Sequence, residues 1–111
     1  MIEKIVLDYL NEKLSVPAFT EKPDNEPSSY VLIEKTGGGE ENYIESATIA
    51  LQSYAGSLFL SASLNEEVKD AMRGIVELDT IASAKLLRDY NFTDTTKKKY
   101  RYQAIYSLVY Y

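Results

Sequence analysis

Tyr30-Val31-Leu32-Ile33-Glu34-Lys35-Thr36-Gly37-Gly38-Gly39-Glu40-Glu41-Asn42 is the stretch on which the fold turns. Its first seven residues have the length and the β-branched and aromatic content of a strand. Three consecutive glycines then break it, and Tyr43 to Tyr54 reads as a second strand. The two are expected to form a hairpin across a 37–42 loop, which makes an antiparallel sheet the framework of the chain.

Working outward, residues 2–14 place Ile2, Ile5, Val6, Tyr9, Leu10 and Leu14 at helical spacing, with charged residues on the other face and Pro17 as the stop. Val16–Thr20 is a candidate edge strand, and residues 21–29 are a polar loop. After Gly56, the spacing of Leu58, Ala62, Val68, Ala71, Met72 and Ile75 predicts a helix from Ser57 to about Val76. Ser57 is the favoured cap, and Ser63-Leu64-Asn65-Glu66 offers a capping box for a later start. Leu78–Arg88 reads as a third strand and Tyr100–Tyr111 as a long fourth, joined by a polar connection, 89–99, expected to be mobile. The order is α-β-β-α-β-β. It predicts a single α+β domain over residues 1–111, an antiparallel sheet with two helices packed on one face.

Composition narrows the chemistry. The 111 residues contain no cysteine and no histidine. Thiolate nucleophiles, disulfides, Cys/His zinc sites, iron–sulfur clusters and Ser-His-Asp hydrolysis are therefore excluded together. An enzyme would have to work with Asp, Glu, Lys, Tyr and Ser alone, and no clustered set of them suggests how, so the expectation is a non-enzymatic protein without cofactor. Tyrosine is abundant at ten copies, and its apolar ring with a polar tip suits half-buried sheets and protein interfaces. No signal segment or apolar run of membrane-spanning length is visible, so a cytoplasmic product with no membrane association is expected.

Charge is unevenly spread. Residues 1–79 carry 15 acids and 6 bases, and residues 80–111 carry 2 acids and 6 bases, giving net charges of −9 and +4. The two segments either neutralise each other within one fold or dock head-to-tail between copies. An acidic chain does not favour general nucleic-acid binding. Lys97-Lys98-Lys99-Tyr100-Arg101-Tyr102 interleaves bases and aromatics as single-strand binders do, but a basic arm docking on an acidic neighbour is the preferred reading.

Other motifs carry less. Gly37-Gly38-Gly39 lacks the Gly-Lys-Ser/Thr ending of a phosphate loop and runs into Glu40-Glu41, whose carboxylates would repel phosphate. The pairs Glu40-Glu41 and Glu66-Glu67, and Asp89 with Asp94, lack the spacing of a calcium loop and read as solvated charge. In the last strand, one face shows Tyr100, Tyr102, Ala104, Tyr106, Leu108 and Tyr110, and the other Arg101, Gln103, Ile105, Ser107, Val109 and Tyr111. Both faces turn apolar toward the end, so the strand is either sandwiched within the fold or covered by another subunit. With only two helices to share, the subunit is preferred, which makes Tyr102, Tyr106 and Tyr110 interface candidates beside Lys97, Lys98, Lys99 and Arg101.

The element order, the stretch Ile44-Glu45-Ser46-Ala47-Thr48-Ile49-Ala50-Leu51-Gln52-Ser53-Tyr54-Ala55 and the ending Asp89-Tyr90-Asn91-Phe92-Thr93-Asp94 … Tyr100-Arg101-Tyr102-Gln103-Ala104-Ile105-Tyr106 resemble the small neck proteins of tailed phages and prophages of Gram-positive bacteria. Within them the chain resembles the tail-terminator group, also called tail-completion or minor head–tail joining proteins. The resemblance implies a protomer that forms a hexameric ring, caps the tail tube and presents the surface that joins the filled head. It implies as partners the tail tube protein and a head-side connector protein, with DNA passing through the ring without specific binding. It places the protein in the virion, and in the host cytoplasm during assembly. In such a ring Glu40 and Glu41 are candidates for the channel or an axial surface, since an acidic wall does not hold phosphates. Head–tail adaptors and stoppers share the size range, and a cytoplasmic binding module using the open sheet face for a peptide or small ligand is the alternative from another class.

Overall fold

The computed structural model describes residues 1–111. The amphipathic pattern at the start forms α1 (Ile2–Lys13), which buries Ile2, Val6, Tyr9 and Leu10. There follow β1 (Ala18–Phe19), β2 (Tyr30–Glu41), β3 (Ile44–Ala55), α2 (Leu58–Arg73), a 3-10 turn (Ile75–Glu77), β4 (Ile81–Asn91) and β5 (Tyr100–Tyr110). The five strands make one sheet in the order β1-β2-β3-β5-β4. The architecture is α+β.

The sheet is mixed, where a fully antiparallel one was expected. β1 runs parallel to β2, with Ala18 opposite Val31 and the Val31 N–H donating to the Pro17 carbonyl at 3.0 Å. The side chain of Asn11 fixes this edge. Its Oδ1 accepts from the Ala18 N–H at 2.8 Å and its Nδ2 donates to the Ala18 carbonyl at 3.3 Å. An amide offers both a donor and an acceptor, so one side chain substitutes for a neighbouring strand at this point.

Both helices lie on the same sheet face. Across the strands on that face Ile33 stands opposite Leu51 and Leu51 opposite Ala104, while Ile49 stands opposite Tyr106 and Ala47 opposite Leu108. These side chains share one apolar core with Val6 and Leu10 of α1 and Leu64, Val68 and Met72 of α2. The Tyr9 hydroxyl donates to the Ala71 carbonyl at 2.6 Å and joins the helices. A Cβ at Gly74 would lie 2.9 Å from that hydroxyl, so the residue after α2 must be small for the helices to meet here. α2 starts at the earlier of the two expected caps, with the Ser57 hydroxyl accepting from the Leu60 N–H at 3.1 Å. Gly74 and the 3-10 turn end it before Val76, and this extra turn delays β4 to Ile81 rather than Leu78.

The glycines do not make the hairpin turn. Gly37, Gly38 and Gly39 are paired with Thr48, Ala47 and Ser46 inside β2, and none has a positive φ. The reversal falls on Asn42 and Tyr43, at φ 51° and 67°. A two-residue loop with both φ positive is the primed turn that matches strand twist, and Asn-Gly is its favoured pair. Asparagine tolerates that conformation, whereas tyrosine in it costs about 1–2 kcal/mol. Tyr43 is 93% exposed, so protomer packing offsets little of that cost. Replacing Tyr43 with glycine is therefore expected to stabilise the protomer by about 1 kcal/mol, raising Tm by several degrees in thermal unfolding.

Candidate functional site

Strand alternation divides the charged and aromatic residues between two faces. The face without helices carries, at one end, a row that runs Tyr30, Tyr54, Arg101 and, beyond β4, Phe92. Tyr30 and Tyr54 stack at 4.7 Å with rings 6° apart. The Arg101 guanidinium lies 4.4 Å from the Phe92 ring centroid, its Nη1 donates to the Tyr54 hydroxyl at 2.9 Å, and its Nε donates to the Phe92 carbonyl at 2.7 Å. One row further in, Gln52 Nε2 donates to Gln103 Oε1 at 2.8 Å, the Tyr54 hydroxyl donates to Gln52 Oε1 at 3.2 Å, and Gln103 Nε2 donates to the Tyr90 hydroxyl. Both glutamines are buried although no helix covers them. These side chains are bonded to one another, which fills this end of the open face from within.

Sequence reasoning missed that ladder. Its signal is a pair of amides, Leu51-Gln52-Ser53 and Tyr102-Gln103-Ala104, each set beside apolar residues within a strand. A buried amide is stable only with a partner.

The expected interface residues separate into four groups. Tyr106 and Tyr110 are on the helix face and buried, at 5% and 7% exposure, so they belong to the protomer's core. The strand is central, lying between β3 and β4, and α2 packs on the tyrosine side, so that face is covered within the protomer, whereas no helix covers the face of Ile105 and Val109. Tyr102 is half-buried on the same side, opposite Ser53 and Asn91. Arg101 is committed to Tyr54 and Phe92 as described, and Lys99 is paired with Glu26 at 2.9 Å. Lys97 and Lys98 remain exposed.

The connection that bears them is tied down, contrary to the expected mobility. β4 continues to Asn91, and Asp94 and Lys99 exchange backbone hydrogen bonds at 3.0 and 3.1 Å. The Asp94 carboxylate also accepts from the N–H groups of Thr96 and Lys97 at 3.1 and 3.2 Å, an Asx turn.

Glu40 and Glu41 are exposed near the β2–β3 tip. With Glu45, Ile44, Gly39 and Val109 they line a shallow concavity of about 460 Å³. The tip lies beside the C-terminal end of β5, and the Lys97-Lys98 turn lies at the other end of that strand. The acidic and basic turns thus occupy opposite ends of the sheet. A second, smaller concavity of about 130 Å³ lies between α2 and β4, lined by Lys69, Met72, Arg73, Ala84, Leu86 and Tyr106. Leu58, Phe59 and Leu60 are exposed on the first turn of α2. No helix is long and apolar enough to cross a membrane.

Glu26 binds the polar loop to this end of the sheet. The Tyr30 hydroxyl donates to it at 2.7 Å and Lys99 at 2.9 Å. These bonds, the tyrosine's first, lower its carboxyl pKa from 4.5 to about 2. Burial, and then Glu26, push the Tyr30 hydroxyl upward. A depressed carboxyl pKa contributes stability above the unfolded value and loses it as pH falls through the folded one. Thermal stability is expected to fall between pH 4.5 and about 2, and Glu26→Gln to flatten that acid limb while leaving the neutral fold unchanged.

The amide ladder has its own test. Gln103→Leu strands the Gln52 amide in a buried position and is expected to cost about 1–3 kcal/mol in urea unfolding. Adding Gln52→Leu removes the stranded group, so the double variant is expected to recover part of the loss. No protein-family model matches the chain, and no curated protein sequence matches it.

Proposed function

We propose that this protein is a structural, non-enzymatic subunit of a phage neck, a tail terminator whose copies form a ring that caps the tail tube and joins tail to head. The observation that carries this reading is the division of charge between the two hairpins that make the sheet. The β2–β3 hairpin carries Glu34, Glu40, Glu41 and Glu45 against Lys35, net −3. The β4–β5 hairpin carries Lys85, Arg88, Lys97, Lys98, Lys99 and Arg101 against Asp89 and Asp94, net +4. Each hairpin ends in a strand with a long free edge, β2 beyond Leu32 and β4 throughout. Opposite sides of opposite charge favour heterologous contacts, in which one copy's acidic side meets the next copy's basic side, and such contacts generate rings when the rotation closes.

The resemblance of the sequence to tail terminators supplies the setting: a hexameric ring between tail tube and head-side connector, in the virion, with DNA threading the centre. Glu40 and Glu41 stand exposed at one end of the protomer, where they are available to a channel wall or an axial surface. Within the basic hairpin Lys85, Arg88, Lys97 and Lys98 are exposed and outside any ion pair, and the role of the turn lysines Lys97 and Lys98 is to steer encounter rather than to hold the contact.

The reading is tested on purified protein by light scattering at high concentration and by binding to purified tail tubes. Lys97→Glu with Lys98→Glu is expected to leave thermal unfolding within about 0.5 kcal/mol of the parent, because both side chains are solvated. The same variant is expected to slow association on the order of tenfold at low salt, with the difference vanishing as salt rises. A protein that neither self-associates nor binds tail tubes overturns the proposal.

A further inference from the structure

The β2–β3 tip combines three features that folding of the protomer does not explain. Tyr43 occupies a left-handed position that glycine would fill without strain, and it is 93% exposed. Ile44 beside it is 42% exposed. Glu40, Glu41 and Glu45 flank them. An aromatic held in strain at the end of a rigid hairpin is a group kept for contact.

The complementary feature is the concavity between α2 and β4. Met72 and Tyr106 form a buried floor, Ala84 and Leu86 form the β4 wall, and Leu86 is still 38% exposed. Lys69 and Arg73 stand on the α2 side. The groove holds about 130 Å³ and is open to solvent, with an apolar floor and a basic rim. Lys69 is bonded to Glu66 and Asp89, and Arg73 pairs with Asp70 on the surface, its side chain 70% exposed and free to exchange partners.

We propose that the occupant of this groove is the hairpin tip of a second copy of this chain: Tyr43 enters between α2 and β4 of the neighbour, and Glu40 and Glu41 take up its Arg73. The proposal rests on the ring reading and names its contact, which assigns Glu40 and Glu41 to the interface between copies in place of the channel wall. The aromatic supplies the desolvated anchor, and the carboxylate–guanidinium pairs at the rim set orientation. Each copy carries one tip and one groove, so insertion in one direction around the assembly gives a heterologous contact.

The chain has no cysteine, so introduced thiols are unambiguous. A mixture of Tyr43→Cys and Leu86→Cys proteins, assembled on tail tubes and mildly oxidised, is expected to give disulfide-linked pairs joining one variant to the other, with neither variant giving them alone. Tyr43→Gly is expected to weaken self-association tenfold or more while Tm rises, an opposition that a misfolded variant cannot produce. Arg73→Glu is expected to weaken it likewise, and Glu40→Lys with Glu41→Lys to restore it. Parental protein that assembles while Tyr43→Gly assembles equally well and the thiols do not link overturns the tip-in-groove contact and leaves the ring intact. Parental protein that does not associate at all overturns both.

Discussion

The antiparallel pairing of β3 with β5, from Glu45 opposite Tyr110 to Ala55 opposite Tyr100, is the joint on which the molecule depends. Each strand belongs to its own hairpin, and the two hairpins touch along this line. On the helix side the joint brings Ile49 and Leu51 beside Tyr106 and Ala104 to make the floor for α2. On the other side it brings together Gln52 and Gln103, 51 residues apart in sequence. A one-residue slip of β3 against β5 would put Ile49 and Leu51 on the open face and Gln52 under α2, away from Gln103. The amide pair therefore acts as a register key: only one alignment gives each glutamine its partner. Pairing across such separations carries a loop-closure cost, so specificity of register matters more here than in either hairpin alone.

Local patterns were legible in the sequence, and competition between elements was not. α1 and the Ser57 cap of α2 follow from spacing and from a hydroxyl three residues ahead of an amide, both local facts. The glycines misled because Gly37–Gly39 read as a break by propensity, whereas long cross-strand pairing with Ser46–Thr48 carries them as strand and a less favoured pair, Asn42-Tyr43, makes the turn. Strand composition is a weak guide where tertiary pairing decides. The parallel β1 was present only as a faint apolar run, because what holds it is the side chain of Asn11, seven residues from Ala18.

The last strand shows the same limit from the other side. Its two apolar faces are the signature of a central strand, and sequence alone does not say whether helices or a second subunit do the covering. The structure answers for Tyr106 and Tyr110, which are buried in the core on the helix side of the sheet. The basic run was likewise legible as charge but not as partnership. Lys99 and Arg101 are consumed by Glu26, Tyr54 and Phe92, and what remains outward is a two-lysine turn held by Asp94. Counting charges overstates a surface when cross-strand neighbours have already paired them.

Two long free edges would ordinarily invite strand-to-strand growth, and the sequence works against it. β2 shifts register between Lys35 and Gly37, and β4 shifts twice, between Ile81 and Ser83 and between Leu86 and Arg88. Each shift twists an edge and interrupts the regular row of donors and acceptors that a foreign strand would need. Glycines on β2 add no side-chain surface to hold one. Association through these edges is thereby weakened, and contact through side chains at defined places is left as the stronger route. Edge pairing tolerates slippage and can continue without limit, whereas a contact through side chains at defined places fixes one rotation between neighbours, and a heterologous contact closes into a ring only when that rotation returns to its start.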